Sequence, residues 1–278
     1  MADNTTTTAA QVWRPDANVF AATDVLADAA IMTHSTVSAH LEGDAPVMRV
    51  GYVSDASAVY HTEGTAITPT DPALNEIECL TQEIAFLHAM TRDQYRQKNT
   101  AEQLAQSVSR SIIKQADKCF LSQPNPVSPA VRPVGGLENY PGITTQTAVS
   151  GSLDKLIDLD ADVRSAGAEP TAWLMAPDAW ALIRKMKQAT GSNVGILGAG
   201  TEDSVARLLS VPVFLNSQMS SKTGLLIDKD EVVSTVSGLE VDVSHDTLFS
   251  SVQVAIRGTW RIGYGVPRPN RIGKFVLS

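Results

Sequence analysis

The chain has 278 residues, of which 43% are hydrophobic and 19% charged, with 22 Lys+Arg against 30 Asp+Glu. This length and apolar content allow one large unit or two smaller ones around a real core, and exclude a disordered chain, which would be poorer in Val, Leu and Ile and richer in net charge. The longest apolar runs, Ala172–Ala176 and Ala179–Ile183, have five residues each, against the ~20 of a spanning helix, so no membrane span is expected.

Residues 1–45 hold short apolar pairs without a sustained period, with room for one helical turn or two between Val25 and Met32. Such a segment cannot bury itself and is expected to form an arm rather than a domain. Val47–Val53 reads as a strand, and Leu74 to Met90, with Ile77, Cys79, Thr81 and Ile84, reads as a second extended run. Two long runs around a wide polar loop through His61–Thr65 predict a hairpin. A two-stranded hairpin alone is marginal in water and presents open edges, so this one needs something to lie on.

Thr100 with Gln103 matches a capping box, and Leu104, Val108, Ile112, Ala116 and Phe120 follow at four-residue intervals. The pattern predicts an amphipathic helix of about six turns, packed on one side and ending before Gln123-Pro124. Prolines at 124, 126, 129, 133 and 141 then mark a loop. Ser152–Ala166 is expected to be a second helix stopped by Gly167, Thr171–Met175 a buried strand, and Pro177 the start of a third helix reaching Gly191. A glycine-rich loop (Gly195, Gly198, Gly200), a short helix from Asp203 to Leu209 and a strand from Val211 to Leu215 follow. Leu225–Ile227, Leu239–Val243 and Val252–Ile262 alternate in the strand manner. Helices and strands mix without a repeating strand–helix unit, which predicts the α+β class.

Charge is uneven. Residues 1–97 carry four basic and thirteen acidic side chains, whereas 98–278 carry 18 basic and 17 acidic ones. From Arg257 to Ser278 there are five basic residues and no acidic one. Either the front of one copy meets the tail of another, or the two ends pair within one chain or never meet at all. An acidic chain lacks the phosphate-neutralising stripe of a protein whose main task is nucleic-acid binding. No basic segment followed by an apolar one succeeds Met1, so no export signal is expected. Cys79 and Cys119 show no pairing pattern and read as small core residues of a chain made in a reducing cytoplasm.

Residue patterns for chemistry are weak. Gly195, Gly198 and Gly200 follow a helix rather than a strand, in the wrong order for a dinucleotide loop. Asp158, Asp160, Asp162 and Glu169 match calcium-loop positions, but Val163 stands where the turn requires glycine, so they read as solvated acids at a helix end. Ser244, His245 and Asp246 are adjacent, and strand neighbours point to opposite faces, which argues against a triad. His34, His40, His61, His88 and His245 have no ligand spacing. No catalytic, cofactor-binding or metal residue is therefore assigned, and no cofactor is expected.

The Glu63-Gly64-Thr65 turn, the long strand after it and the capped helix from Thr100 resemble the major capsid proteins of tailed bacteriophages, the Hong Kong 97 fold. The resemblance continues through Gly136-Leu137-Glu138, the unit from Trp173 to Trp180, Ser210-Val211-Pro212-Val213, Asp246–Phe249 with the long strand behind it, and Arg268-Pro269. It covers about residues 46–278, in the family's order. It implies an N-arm at 1–45 and an extended loop at 46–90. A peripheral domain with a spine helix would be built from 91–149 and 236–257, and an axial domain from 150–235 and 258–278. The implied function is a shell protein that self-assembles as hexamers and pentamers into an icosahedral head around double-stranded DNA, which it contacts only non-specifically. Partners would be a portal, decoration or cement proteins and a separate scaffolding protein, since 45 leading residues look too short for a fused one. Assembly would take place in the bacterial host's cytoplasm. Some members weld their shells by an isopeptide bond from an extended-loop lysine. Here the first lysine is Lys98, and Asn and Glu are absent across 247–261, which implies a non-covalent shell. The alternatives are an encapsulin-type compartment of the same fold and an α+β enzyme.

Overall fold

The computed structural model describes residues 18–20, 27–40, 47–54, 58, 60–64, 66, 73–92, 100–187, 195, 206–244 and 249–278. Two sheets carry the fold. The first runs β1(Asn18–Phe20)-β11(Leu239–Ser244)-β12(Gln253–Gly265)-β10(Val233–Val236)-β2(Thr36–His40), with β4(Ala73–Thr91) on β12 and β3(Val47–Ser54) on β4. The second runs β5(Thr144–Val149)-β13(Gly273–Leu277)-β9(Thr223–Ile227)-β6(Ala172–Met175)-β8(Val211–Leu215)-β7(Arg207–Leu208). Among the described residues four α-helices accompany them: α1(Ala30–His34), α2(Thr100–Leu121), α3(Asp154–Ser165) and α4(Pro177–Arg184). The chain crosses from the first sheet to the second after α2, back between β9 and β10, and over again between β12 and β13. One apolar core runs through both, from Ile84, Ile112 and Trp260 to Trp173, Leu226 and Phe275.

The apolar period of α2 did what a single stripe should. Val108, Ile112, Ala116 and Phe120 are buried, and Ile112 and Val108 pack so close to β12 that a Cβ at Gly258 would touch them at 3.0 and 3.2 Å. The side chains of Thr100, Gln103 and Leu104 lie outside the described residues. Gly167 ends α3 with φ +87°, a left-handed turn that costs glycine nothing. Two of the indoles are fully buried with their N–H groups satisfied, Trp173 on the Leu208 carbonyl and Trp260 on the Ser237 carbonyl, each at 3.0 Å.

Several sequence expectations change. The third helix ends at Arg184, not Gly191: Lys185 closes it with bonds to the carbonyls of Ala181 and Leu182, and Lys187 then bridges Gly195. Gly198, Gly200 and residues 188–194 lie outside the described residues. Within the expected Asp203–Leu209 helix, the described part is strand β7 followed by left-handed Leu209 and Ser210, because pairing with β8 overrides local propensity. Val233–Val236 and the whole of β12 belong to the first sheet, and β5 belongs to the second. Part of the leading segment packs on the body. Ala29, Ala30 and Ile31 are buried, and β2 pairs in parallel with β10.

Candidate assembly surface

β4 is the feature that sets the molecule's outline. Its 19 residues span about 60 Å as an extended strand. Thr81–Thr91 pair with Gly263–Gln253 of β12, which supplies the support the hairpin needs, while Ala73–Leu80 pair with β3 alone. Burial follows this division. Thr81, Ile84 and Met90 are buried against the body, whereas Ala73, Leu74, Asn75 and Glu76 are all exposed, so both faces of the outer strand meet solvent. Val53 lies directly opposite Leu74, and Leu74 is 83% exposed, as Tyr60 in the connecting loop is 92% exposed. Arg49 bridges Glu76 at 3.3 Å and Glu78 at 3.0 Å across the strands. These pairs are solvent-exposed and set register more than stability.

The hairpin is held in three ways. Cys79 is fully buried where β4 passes β12, and a Cβ at Gly265 would stand 2.7 Å from its sulfur, so only glycine admits that approach. Burial pushes the Cys79 thiol up to about 11, which keeps it protonated, and desolvation also raises Cys119. Arg261 pairs with its register partner Glu83 at 3.1 Å. Arg268 donates to the Val53 carbonyl at 3.1 Å and to the buried carboxylate of Glu231 at 3.1 Å, and Arg271 pairs with the same Glu231 oxygen. Beside the hairpin, a groove of about 900 Å³ opens between β4 and α2, lined by Gln82, Phe86, Ser111 and Gln115 among others.

A second buried carboxylate fastens the leading segment. Asp117 of α2 accepts the Ala30 backbone N–H at 2.8 Å and the Asn216 amide at 2.7 Å. Burial raises its pKa, and those two bonds oppose the rise. At the end of α1, His34 meets Phe214 edge-on with ring centres 4.7 Å apart, and desolvation, helped by Lys229, lowers its pKa to about 4. Glu138 is buried too, and accepts the Ser220 N–H at 2.9 Å. None of Glu231, Asp117 and Glu138 was legible as structural, although Asp117 does sit next to the core-facing Ala116 of α2.

The tail's cations are satisfied inside the chain. Arg257 pairs with Asp242, Arg261 with Glu83, Arg268 and Arg271 with Glu231, and Lys274 donates to the Glu138 carbonyl at 2.7 Å. Arg261 with Glu83 is an ion pair that joins this tail to the acidic front, whereas Asp242 and Glu231, the other acidic partners, lie outside residues 1–97. Asp158, Asp160 and Asp162 stand on α3, where Asp160 pairs with Arg164 at 2.9 Å, and the Glu169 N–H donates to Asp228. Ser244 ends β11, and His245 and Asp246 lie outside the described residues. Among the described residues no group of His, Cys, Asp and Glu could hold a metal ion, and no helix is long and apolar enough to cross a membrane.

Two sheets, a long helix laid on one of them and a hairpin running past the body form a recognisable architecture. A family model described as the phage capsid family matches residues 23–277. The chain belongs to the phage capsid family. Solved structures agree on the fold. The capsid of a native GTA particle is 17% identical, with TM-score 0.69 over 100% of this chain and 95% of that one. A chain from Microbacterium phage Oxtober96 is 12% identical, with TM-score 0.71 over 100% and 96%. One from Gordonia phage Cozz is 14% identical, with TM-score 0.69 over 90% and 86%. No curated protein sequence matches the chain. The architecture is thus of the Hong Kong 97 type, and this phage capsid family member is a structural protein of the virion, a major capsid protein that forms the head shell. The encapsulin alternative is not favoured.

Proposed function

We propose that this capsid protein builds an icosahedral head of hexamers and pentamers around double-stranded phage DNA, and that non-covalent contacts alone hold the shell. The observation that carries this reading is the outer hairpin. The outer end of β4, Ala73–Glu76, is exposed on both faces, with Leu74 and the loop's Tyr60 bare beside it, and such a ribbon end gains stability by lying on another surface. Each such contact is worth a few kcal/mol, and several per subunit favour a closed shell while single contacts stay reversible. The described hairpin strands contain no lysine, so they offer no amine for an isopeptide bond. In this reading the first sheet with α2 is the peripheral domain, α2 its spine helix, and the second sheet the axial domain.

Assembly in the host cytoplasm with a separate scaffolding protein, a portal and decoration proteins belongs to the same proposal, as does the absence of any catalytic role. DNA is contacted without sequence preference. Negative-stain microscopy of the purified chain is expected to show closed particles or isolated hexamers and pentamers. A chain that stays a monomer at all concentrations, with its hairpin protected from proteolysis, contradicts the proposal.

A further inference from the structure

The outward face of α2 has a composition unlike the rest of this acidic chain. Between residues 106 and 121 the exposed positions are Gln106, Ser107, Arg110, Ser111, Lys114, Gln115 and Lys118. No acid and no apolar side chain stands among them, because the one acid of this stretch, Asp117, is buried on Ala30 and Asn216. Arg110, Lys114 and Lys118 recur every four residues and therefore form one row, with about 6 Å between neighbours along the axis. None of the three makes an ion pair with a described residue, whereas Arg257, Arg261, Arg268 and Arg271 all do.

We infer that this face of α2 is a docking surface for the phosphate backbone of duplex DNA. The inference rests on the proposed DNA-enclosing role. Three features point to this occupant rather than to a protein. The row spans about 12 Å, over which one DNA strand presents three or four phosphates. Its flanks are Ser and Gln, short neutral donors of the kind that position phosphates without reading bases. The exposed side chains of residues 106–121 include no aromatic or aliphatic anchor, and protein interfaces draw most of their affinity from such anchors. With a net charge of −8 the subunit as a whole repels DNA. The row gives each copy a weak, salt-sensitive hold that lets the duplex slide while many copies together order it.

Fluorescence anisotropy of a labelled random-sequence duplex with the purified chain, from 20 to 150 mM NaCl, tests this. Three neutralised phosphates predict that log K falls against log[salt] with a slope of about −2.7. The triple variant Arg110→Gln/Lys114→Gln/Lys118→Gln is expected to bring the slope close to zero and to weaken binding at 50 mM at least tenfold. The charge-preserving Arg110→Lys variant, and Arg184→Gln/Lys185→Gln at the C-terminal end of α4, should keep the wild-type slope. The inference is overturned by a flat wild-type slope, by a triple variant that binds as the wild type does, by equal loss in the α4 variant, or by tighter binding of labelled polyglutamate than of the duplex. Particles seen by microscopy read the shell function separately. Shells without duplex binding sink only the inference, and duplex binding without shells sinks only the proposed function.

Discussion

Arg268 joins two parts of the molecule through one guanidinium, giving one N–H to the Glu231 carboxylate and another to the Val53 carbonyl, each at 3.1 Å. Glu231 lies between the two sheets, at the turn from β9 to β10, with its side chain only 8% exposed, and Arg271 shares its oxygen while holding the Ala166 carbonyl at the end of α3. The hairpin's strand β3 is thereby tied to the same buried charge that fixes the junction. Removing one partner of such a network leaves the others uncompensated, which costs more than the pair itself contributes. Glu231→Gln is expected to lower stability in urea by about 3 kcal/mol. Arg268→Lys cannot span both acceptors, and should speed amide exchange across Val47–Ser54 with a smaller loss of global stability. Unchanged exchange in that strand would show that Arg268 does not anchor the hairpin.

Close packing at the hairpin's base makes a coupled prediction. Gly265→Ala would set a Cβ 2.7 Å from the Cys79 sulfur and 3.1 Å from Ile77, and overpacking of this kind costs about 1–3 kcal/mol. Adding Cys79→Ala should restore room, so that the double variant is more stable than the sum of the two singles predicts. Strict additivity of the melting data would refute the contact.

His34 makes stability depend on pH with a defined sign. Its folded pKa of about 4 lies below the ordinary 6.5, so the folded state favours the neutral ring and the unfolded chain binds the proton more readily. The contribution is complete above pH 6.5 and is lost as pH falls from 6.5 toward 4, by at most about 3 kcal/mol. Asp117, whose pKa is raised, acts in the opposite sense at the acid end. Comparing wild type with His34→Gln by urea unfolding at pH 7 and pH 4.5 cancels that opposing effect. The wild type should lose ground to the variant on acidification, and parallel curves would exclude His34 as the cause.

The outer hairpin separates folding from assembly. Leu74→Asp changes a side chain that touches little in the subunit, so the monomer's stability should move by less than about 0.5 kcal/mol. Particle formation in light scattering should nevertheless fall sharply. Equal loss of both would mean that Leu74 belongs to the subunit's own core.

Particles boiled in denaturant and run on a gel, without added crosslinker, should give a single band at the monomer mass of 29.6 kDa. A ladder of multimers would reveal a covalent bond formed from a lysine outside the described hairpin strands.

Much of this architecture was legible because it follows from local periodicity. The four-residue rhythm of Val108, Ile112, Ala116 and Phe120 specified α2 and its buried side, and the alternation in Leu74–Met90 specified β4 to within a residue at each end. Strands β5, β10 and β13 escaped notice because each is short and completed by partners far away in sequence. Phe275, for example, pairs with Gly224 on one side and Gln146 on the other. The assembly surface was half visible: the hairpin could be read, but its anchors could not, since Glu231, Arg268 and Gly265 carry no signal until the fold brings them beside β3 and β4.

The order of residues alone therefore determined the kind of elements, the thin hairpin, the missing lysine in its strands and the likeness to phage shell proteins, because helical and strand periods and residue chemistry are properties of neighbours along the chain. Tertiary structure alone decided where the charges go. It paired the tail's arginines with acids of the same subunit, Arg261 with Glu83 of the acidic front and the others with Asp242 and Glu231, drew Ala29–Ile31 onto α2, and left Arg110, Lys114 and Lys118 without an ion pair among the described residues. Electrostatic pairing and burial depend on distance in space, and that distance is fixed only when strands remote in sequence meet.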